Sequence, residues 1–124
     1  MNFDVYFKSI IDEDNCNVVI CDLNHTIIYM NPSAIKSYSK YGNLIGKSLL
    51  NCHNMDSNNK IIEVVEWFKR DVNNNRVHTF FNEKQNKDVY MVALRDENKN
   101  LIGYYEKHEF RNKDLSGFYD LKKE

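Results

Sequence analysis

One stretch, residues 16 to 33, constrains this chain more than any other. It reads Cys-Asn-Val-Val-Ile-Cys-Asp-Leu-Asn-His-Thr-Ile-Ile-Tyr-Met-Asn-Pro-Ser. Two runs rich in β-branched residues, Asn17 to Cys21 and Thr26 to Met30, flank the polar Asp22-Leu23-Asn24. That pattern predicts a β-hairpin. Asn31 is a good helix N-cap, and Pro32 then falls at the first helical position, where its missing N–H is not needed. The helix predicted over 33–41 puts Ala34, Tyr38 and Tyr41 on one apolar face.

Upstream, Asn2 to Ile11 places Phe3, Phe7, Ile10 and Ile11 at helical spacing. Residues 1–15 are therefore read as an N-terminal capping helix, on the sheet edge or on a second copy of the chain. Downstream, Gly42-Asn43 is a helix stop, and Asp56 or Ser57 can cap the next helix. That helix carries Ile61, Val64, Val65, Phe68 and Val72 on its buried face, the strongest periodic signal in the sequence. Asn73-Asn74-Asn75 ends it. Three strands follow: Arg76 to Glu83, Asp88 to Arg95 and Leu101 to Phe110. Turns are expected at Lys84 to Lys87 and at Asp96 to Asn100. The middle strand of the three has apolar residues on both faces, which marks it as central in its sheet.

With these elements placed, a resemblance can be stated. Val19, Ile20, Asp22, Ile27, Ile28, Tyr29, Asn31 and Ala34 match the opening hairpin and helix of PAS domains, the small sensory modules of signalling proteins. The segment Leu44-Ile45-Gly46-Lys47-Ser48-Leu49 resembles the PAS turn before a short helix. Val92 through Gly103 resembles the last two PAS strands. The order of elements agrees from about Cys16 to Arg111, and local and global signals agree with one another. The expected fold is α+β, a PAS fold: a five-stranded antiparallel sheet with short helices and one long helix packed on one face. Residues 16–111 form the PAS domain and 112–124 a C-terminal tail, read as a short docking helix or frayed. The usual Asp-Ile-Thr end of the last strand is replaced by His108-Glu109-Phe110-Arg111.

Bulk properties fit one soluble domain. The chain has 124 residues, 42% hydrophobic and 28% charged, with a net charge of −1. That balance supplies no field for nucleic acid or for an acidic membrane surface. No apolar run reaches the roughly 20 residues of a membrane span and no signal peptide is evident, so the expected location is cytoplasmic. The three cysteines lack metal or disulfide spacing, and Cys16 and Cys21 fall on opposite faces of one strand. No nucleophile elbow or phosphate-binding glycine loop is present, and the chain has four glycines in all. The protein is not expected to be an enzyme.

The most chemically loaded segment is Asn51-Cys52-His53-Asn54-Met55-Asp56-Ser57. It resembles a PAS subfamily with Cys-His-Pro-x-x-Ser before the long helix, Asn54 standing here for the Pro. The resemblance places this loop at the border of the ligand cavity and makes His53 a candidate axial ligand to haem iron, with Cys52 as a thiolate alternative. The plainer reading is that His53 caps the following helix and Cys52 is a small buried hydrophobe. His108 shares a strand face with Tyr104, Glu106 and Phe110, and is a second ligand candidate if that face points inward. Met55, Met91 and Tyr29 are candidate pocket liners, with core packing as the alternative for each. His25, in the hairpin turn, is read as solvated, and His78 as a surface residue. A flavin photoadduct is disfavoured: Cys52 lies six residues after Gly46, out of register with the light-sensing pattern. The functional expectation is a sensor that binds a small ligand, with haem through His53 its most specific form and a small organic acid or fatty acid its plainer one. It acts as a homodimer and passes the event to a signalling protein partner, with no nucleic acid or membrane partner. A ligand-free interaction module and a small enzyme on the same scaffold are the alternatives.

Overall fold

The hairpin that opens the chain forms where the β-branched runs place it. A computed structural model describes residues 2–52 and 54–122. In it β1 (Asn17–Asp22) pairs antiparallel with β2 (Ile27–Met30), Val19 opposite Met30 and Ile20 opposite Tyr29. The Asp22 carboxylate accepts the amides of Asn24 and Thr26 at 2.9 and 3.0 Å, closing the turn. His25 takes the left-handed conformation there, at φ 64°.

Asn31 does more than cap a helix. Its side-chain oxygen accepts the amide of Ala34 at 3.1 Å, starting α2 (Pro32–Ser37), and that of Val18 at 2.9 Å. Its amide donates to the carbonyls of Ile11 and Cys16 at 3.0 and 2.8 Å. Fully buried and fully bonded, it joins β1, β2, α2 and the end of α1 (Asp4–Glu13). The helix expected over 33–41 is two pieces, because Tyr38 leaves helical space at φ −109°, ψ 18° and a 3-10 turn, Ser39–Tyr41, follows. Gly46 then adopts φ 90° and donates its N–H to the Ile27 carbonyl at 2.7 Å, a conformation L side chains rarely adopt.

The long helix, α3 (Met55–Arg70), begins earlier than Asp56 or Ser57 suggested. Asn54 is its N-cap, in extended conformation, with its side chain accepting the Ser57 amide at 2.8 Å. Ile61, Val65 and Phe68 form the buried face at i, i+4, i+7 spacing. Val72 lies past the helix end and is exposed. Arg95 clamps that end: its guanidinium donates to the carbonyls of Phe68, Asp71 and Asn74 at 2.7 to 3.2 Å, complementing the negative pole of the helix.

β3 (Arg76–Asn82), β4 (Lys87–Arg95) and β5 (Leu101–Phe110) complete an antiparallel sheet in the order β2-β1-β5-β4-β3. The middle place therefore belongs to β5, and β4, expected to be central, lies between β5 and the edge strand β3. The core fills the space between one sheet face and the helices, with Val19, Ile27, Met30, Met91 and Tyr104 from the sheet meeting Ala34, Leu49, Ile61, Val65 and Phe68. This is the expected α+β fold, a five-stranded sheet with one long helix on one face.

At the edges of this body, α1 buries none of its residues and leaves Phe3, Tyr6, Phe7 and Ile10 exposed. Residues 112–122 contain neither helix nor strand, so the docking helix envisaged for the tail is absent from its described part. No described helix is long and apolar enough to cross a membrane.

Candidate functional site

Between the inner sheet face and α3 lies a cavity of about 1270 Å³. Alternation along the strands determines its floor. On β4, Lys87, Val89 and Met91 face it; on β5, Glu106 and His108 do. The register sets Lys87 opposite Phe110, Val89 opposite His108 and Met91 opposite Glu106. His108 thus lies between Glu106 and Lys87 along the sheet. The walls carry apolar side chains, Ile27 and Met30 from β2, Leu44 and Leu49 from the connecting loop, Ile61 and Trp67 from α3, with polar residues such as Lys47, Ser48 and Glu63 among them.

Three polar side chains on this floor are buried. Lys87 is 8% exposed, Glu106 8% and His108 6%. Among the described residues, neither ring nitrogen of His108 has a hydrogen-bond partner; Nε2 lies 3.7 Å from Glu106 Oε2, and the ring stands edge-on to Tyr38. Among the described residues, no carboxylate lies within ion-pair distance of the Lys87 ammonium, which is 5.7 Å from the centre of the Phe110 ring. Burial lowers its pKa from the ordinary lysine value, and the attraction of Glu106 opposes this only in part. Five cationic residues, Lys47, Lys60, Arg70, Arg76 and Lys87, border the cavity against two carboxylates, Glu63 and Glu106, although the Arg76 guanidinium stacks on the Tyr90 ring at 4.3 Å and Lys60 pairs with Asp56 at 3.5 Å. The chain as a whole carries a net charge of −1, so positive charge is concentrated here.

Of the residues singled out from the sequence, the structure brings His108 and Met91 together on the cavity floor. Met55 is 79% exposed in the first turn of α3, so it packs neither the cavity nor the core. Tyr29 falls outside the cavity, because its register opposite Ile20 directs it to the other sheet face. There its hydroxyl donates to the Asp12 carboxylate of α1, and Lys8 packs over its ring. His53 lies outside the described residues. Cys52 ends a 3-10 turn, Leu49–Cys52, and its side chain lies outside the description. Lys87 was placed in a turn by sequence reasoning, yet it stands two and four residues before Val89 and Met91, and strand alternation would have put it on their face.

His25 is not solvated as expected. It is half-buried, its Nδ1 2.7 Å from the hydroxyl of the fully buried Tyr104. Burial lowers its pKa and outweighs the opposing pull of Asp22, while burial raises that of Tyr104. Burial also pushes the Cys16 thiol up to about 11, which suppresses thiolate chemistry there. His78 is a surface residue, as expected, paired with Asp88 at 2.8 Å, and it also falls at the rim of the cavity. Among the described residues, no group of three or more His, Cys, Asp or Glu side chains could hold a metal ion.

No family model matches this sequence, and no curated protein matches it. Solved structures do. The C-terminal domain of a protein from Streptococcus mutans superposes with a TM-score of 0.65 at 18% identity, over 84% of this chain and 81% of that one. A PAS domain from Colwellia psychrerythraea gives 0.59 at 17% identity, over 89% and 98%. The Aer2 receptor of Vibrio cholerae, described as a dual PAS-heme oxygen sensor, gives 0.55 at 14% identity, over 75% and 91%. At these identities the likeness is one of fold.

Proposed function

We propose that this chain, which has the PAS fold, is a sensory module that admits a small molecule to the cavity between its sheet and α3. Occupancy is then converted into a change of protein–protein contacts. One observation carries the reading: His108 lines the cavity, is buried, and has neither ring nitrogen bonded. Leaving such a group without a partner costs about 1–3 kcal/mol, and a ligand in the cavity removes that cost. A ligand-free interaction module would have this space filled by Met, Phe and Tyr side chains. A volume of about 1270 Å³ argues for an occupant instead. The polar floor offers recognition groups, so the reading is one of binding rather than catalysis.

Haem is a specific form of this reading. The floor fits such a group in one respect, a buried imidazole whose nitrogens have no hydrogen-bond partner among the described residues; His108 would hold the iron, with His53 as the other candidate. When bound, haem would supply a redox-active iron open to a diatomic gas. What this chain's residues do there is bind and orient, through His108 and the cations bordering the cavity.

Output is assigned to α1. Its exposed Phe3, Tyr6, Phe7 and Ile10 form an apolar stripe suited to a homodimer or a signalling partner, and α1 is tied to the sheet through Tyr29 and Asn31. A ligand that favours one packing of the helices on the sheet would shift the population of that contact.

The test is mass spectrometry of the purified protein under native and denaturing conditions, with a haemin titration followed by absorption, for wild type, His108→Phe and His53→Ala. A bound small molecule in the wild type, depleted in His108→Phe, is the expected result. A saturable Soret band lost in either variant identifies haem. Protein that carries nothing, and whose stability no candidate ligand raises more than it raises that of His108→Phe, overturns the reading.

A further inference from the structure

We propose that the cavity takes an anionic amphiphile, a monocarboxylate with an apolar tail, whose head group rests between Lys87 and His108. The proposal rests on the ligand-binding reading above and names the chemical class. Three independent observations converge on it.

The first is Lys87. A lysine that is 8% exposed as a residue, with no carboxylate among the described residues within ion-pair distance, is unfavourable unless an anion joins it. The contact with the Phe110 ring, 5.7 Å away, offsets only a small part of that cost. The second is register. His108 separates Lys87 from Glu106 along the sheet, so the space beside Lys87 is the part of the floor farther from the Glu106 carboxylate. A head group there accepts a charge-assisted bond from Lys87 and an N–H bond from His108, whose ring nitrogens have no hydrogen-bond partner among the described residues. The third is charge distribution. With Arg76 set aside on the Tyr90 ring, four cationic residues against two carboxylates border the cavity of a chain with net charge −1, which raises the local concentration of small anions.

The rest of the cavity selects the tail. Away from the floor, inside the polar rim, Ile27, Met30, Ile61 and Trp67 supply aliphatic and aromatic surface. A tail of several methylenes buried there gains about 0.8 kcal/mol per CH₂. A small hydrophilic acid such as acetate satisfies the head-group site and leaves this surface uncovered.

The experiment is isothermal titration of the full chain with octanoate, octan-1-ol and octylammonium, which share a tail and differ in head group. Octanoate is expected to saturate at one per chain and to bind about tenfold or more tighter than octan-1-ol, with octylammonium weakest. In Lys87→Met and Lys87→Gln, each checked for folding by circular dichroism, the octanoate-to-octanol ratio should fall toward one. In Lys84→Met, an exposed turn position, it should not change. Octan-1-ol binding as well as octanoate overturns the anion proposal and leaves the cavity reading standing. An octanoate preference that survives both Lys87 variants overturns the placement of the head group. Absence of binding by all three probes overturns the amphiphile proposal, while the mass spectrometry above decides the cavity reading separately.

Discussion

Replacing Asn31 by Ala removes four hydrogen bonds at a fully buried position. It loses a helix cap and takes a side-chain partner from the Val18 amide and from the Ile11 and Cys16 carbonyls, of which Ile11 still accepts the Asp14 amide at 3.3 Å. The expected destabilisation is about 3 kcal/mol, measured by urea unfolding; Asn31→Asp should fare little better, because a carboxylate cannot donate to the two carbonyls. Lys87→Met should act in the opposite sense. Burial lowers the Lys87 pKa, so at neutral pH the fold carries a cation it disfavours. Its removal should raise stability by about 1 kcal/mol, seen as a higher Tm in the absence of ligand. A residue that weakens the empty protein and strengthens binding marks a site where function outweighs stability. These two residues also divide what the sequence made legible. Asn31 was readable, because an N-cap before Pro is a local pattern. Lys87 was not, because a lysine beside a turn resembles a solvated one, and only the pairing of β4 with β5 buries it. His25 was misjudged for the same reason: its partner, Tyr104, is distant in sequence and reaches it across the sheet.

Among the elements, β5 is the least tolerant of change. Where it passes β1, a Cβ added to Gly103 would lie 2.4 Å from the Cys21 carbonyl oxygen. Backbone there has no room to yield without disturbing the ladder, so Gly103→Ala should cost about 2 kcal/mol or more, read from the unfolding midpoint. The elements themselves were largely legible. Both hairpins, the Asn-Pro helix start and the buried face of α3 follow from periods of 2.0 and 3.6 and from turn residues. What escaped was anything set by non-local pairing. The break in the helix at Tyr38, the start of α3 at Asn54, and the central position of β5 rather than β4 depend on loop packing and strand order. The inward turn of His108, stated only as a condition, follows once β5 is the middle strand with Tyr104 buried.

At the scale of the whole molecule, charge on the outer sheet face sets the response to acid. Arg111 donates to Asp88 at 2.8 Å and pairs with Glu109 at 2.8 Å, and Lys107 pairs with Glu109. The hydrogen bond from Arg111 holds Asp88 below the ordinary value of 3.8, and that from Lys107 holds Glu109 below 4.5. Carboxylates with lowered pKa values stabilise the fold above their unfolded values, and that contribution is lost as pH falls through the folded values. Tm should therefore drop between about pH 5 and about pH 3, with a shallower slope in Asp88→Asn; an unchanged slope would remove this cluster from the account. The strand order carries a consequence of a different kind, for biosynthesis. The hairpins β1-β2 and β3-β4 touch the same sheet only through β5, the last strand to leave the ribosome. Until residues 101–110 emerge, a nascent chain holds two separate ribbons, each with an unpaired edge where β5 belongs. The sheet is synthesised from its rims and closed at its centre, so both ribbons keep an open edge until β5 is made, and a chain shortened within β5 leaves them unjoined.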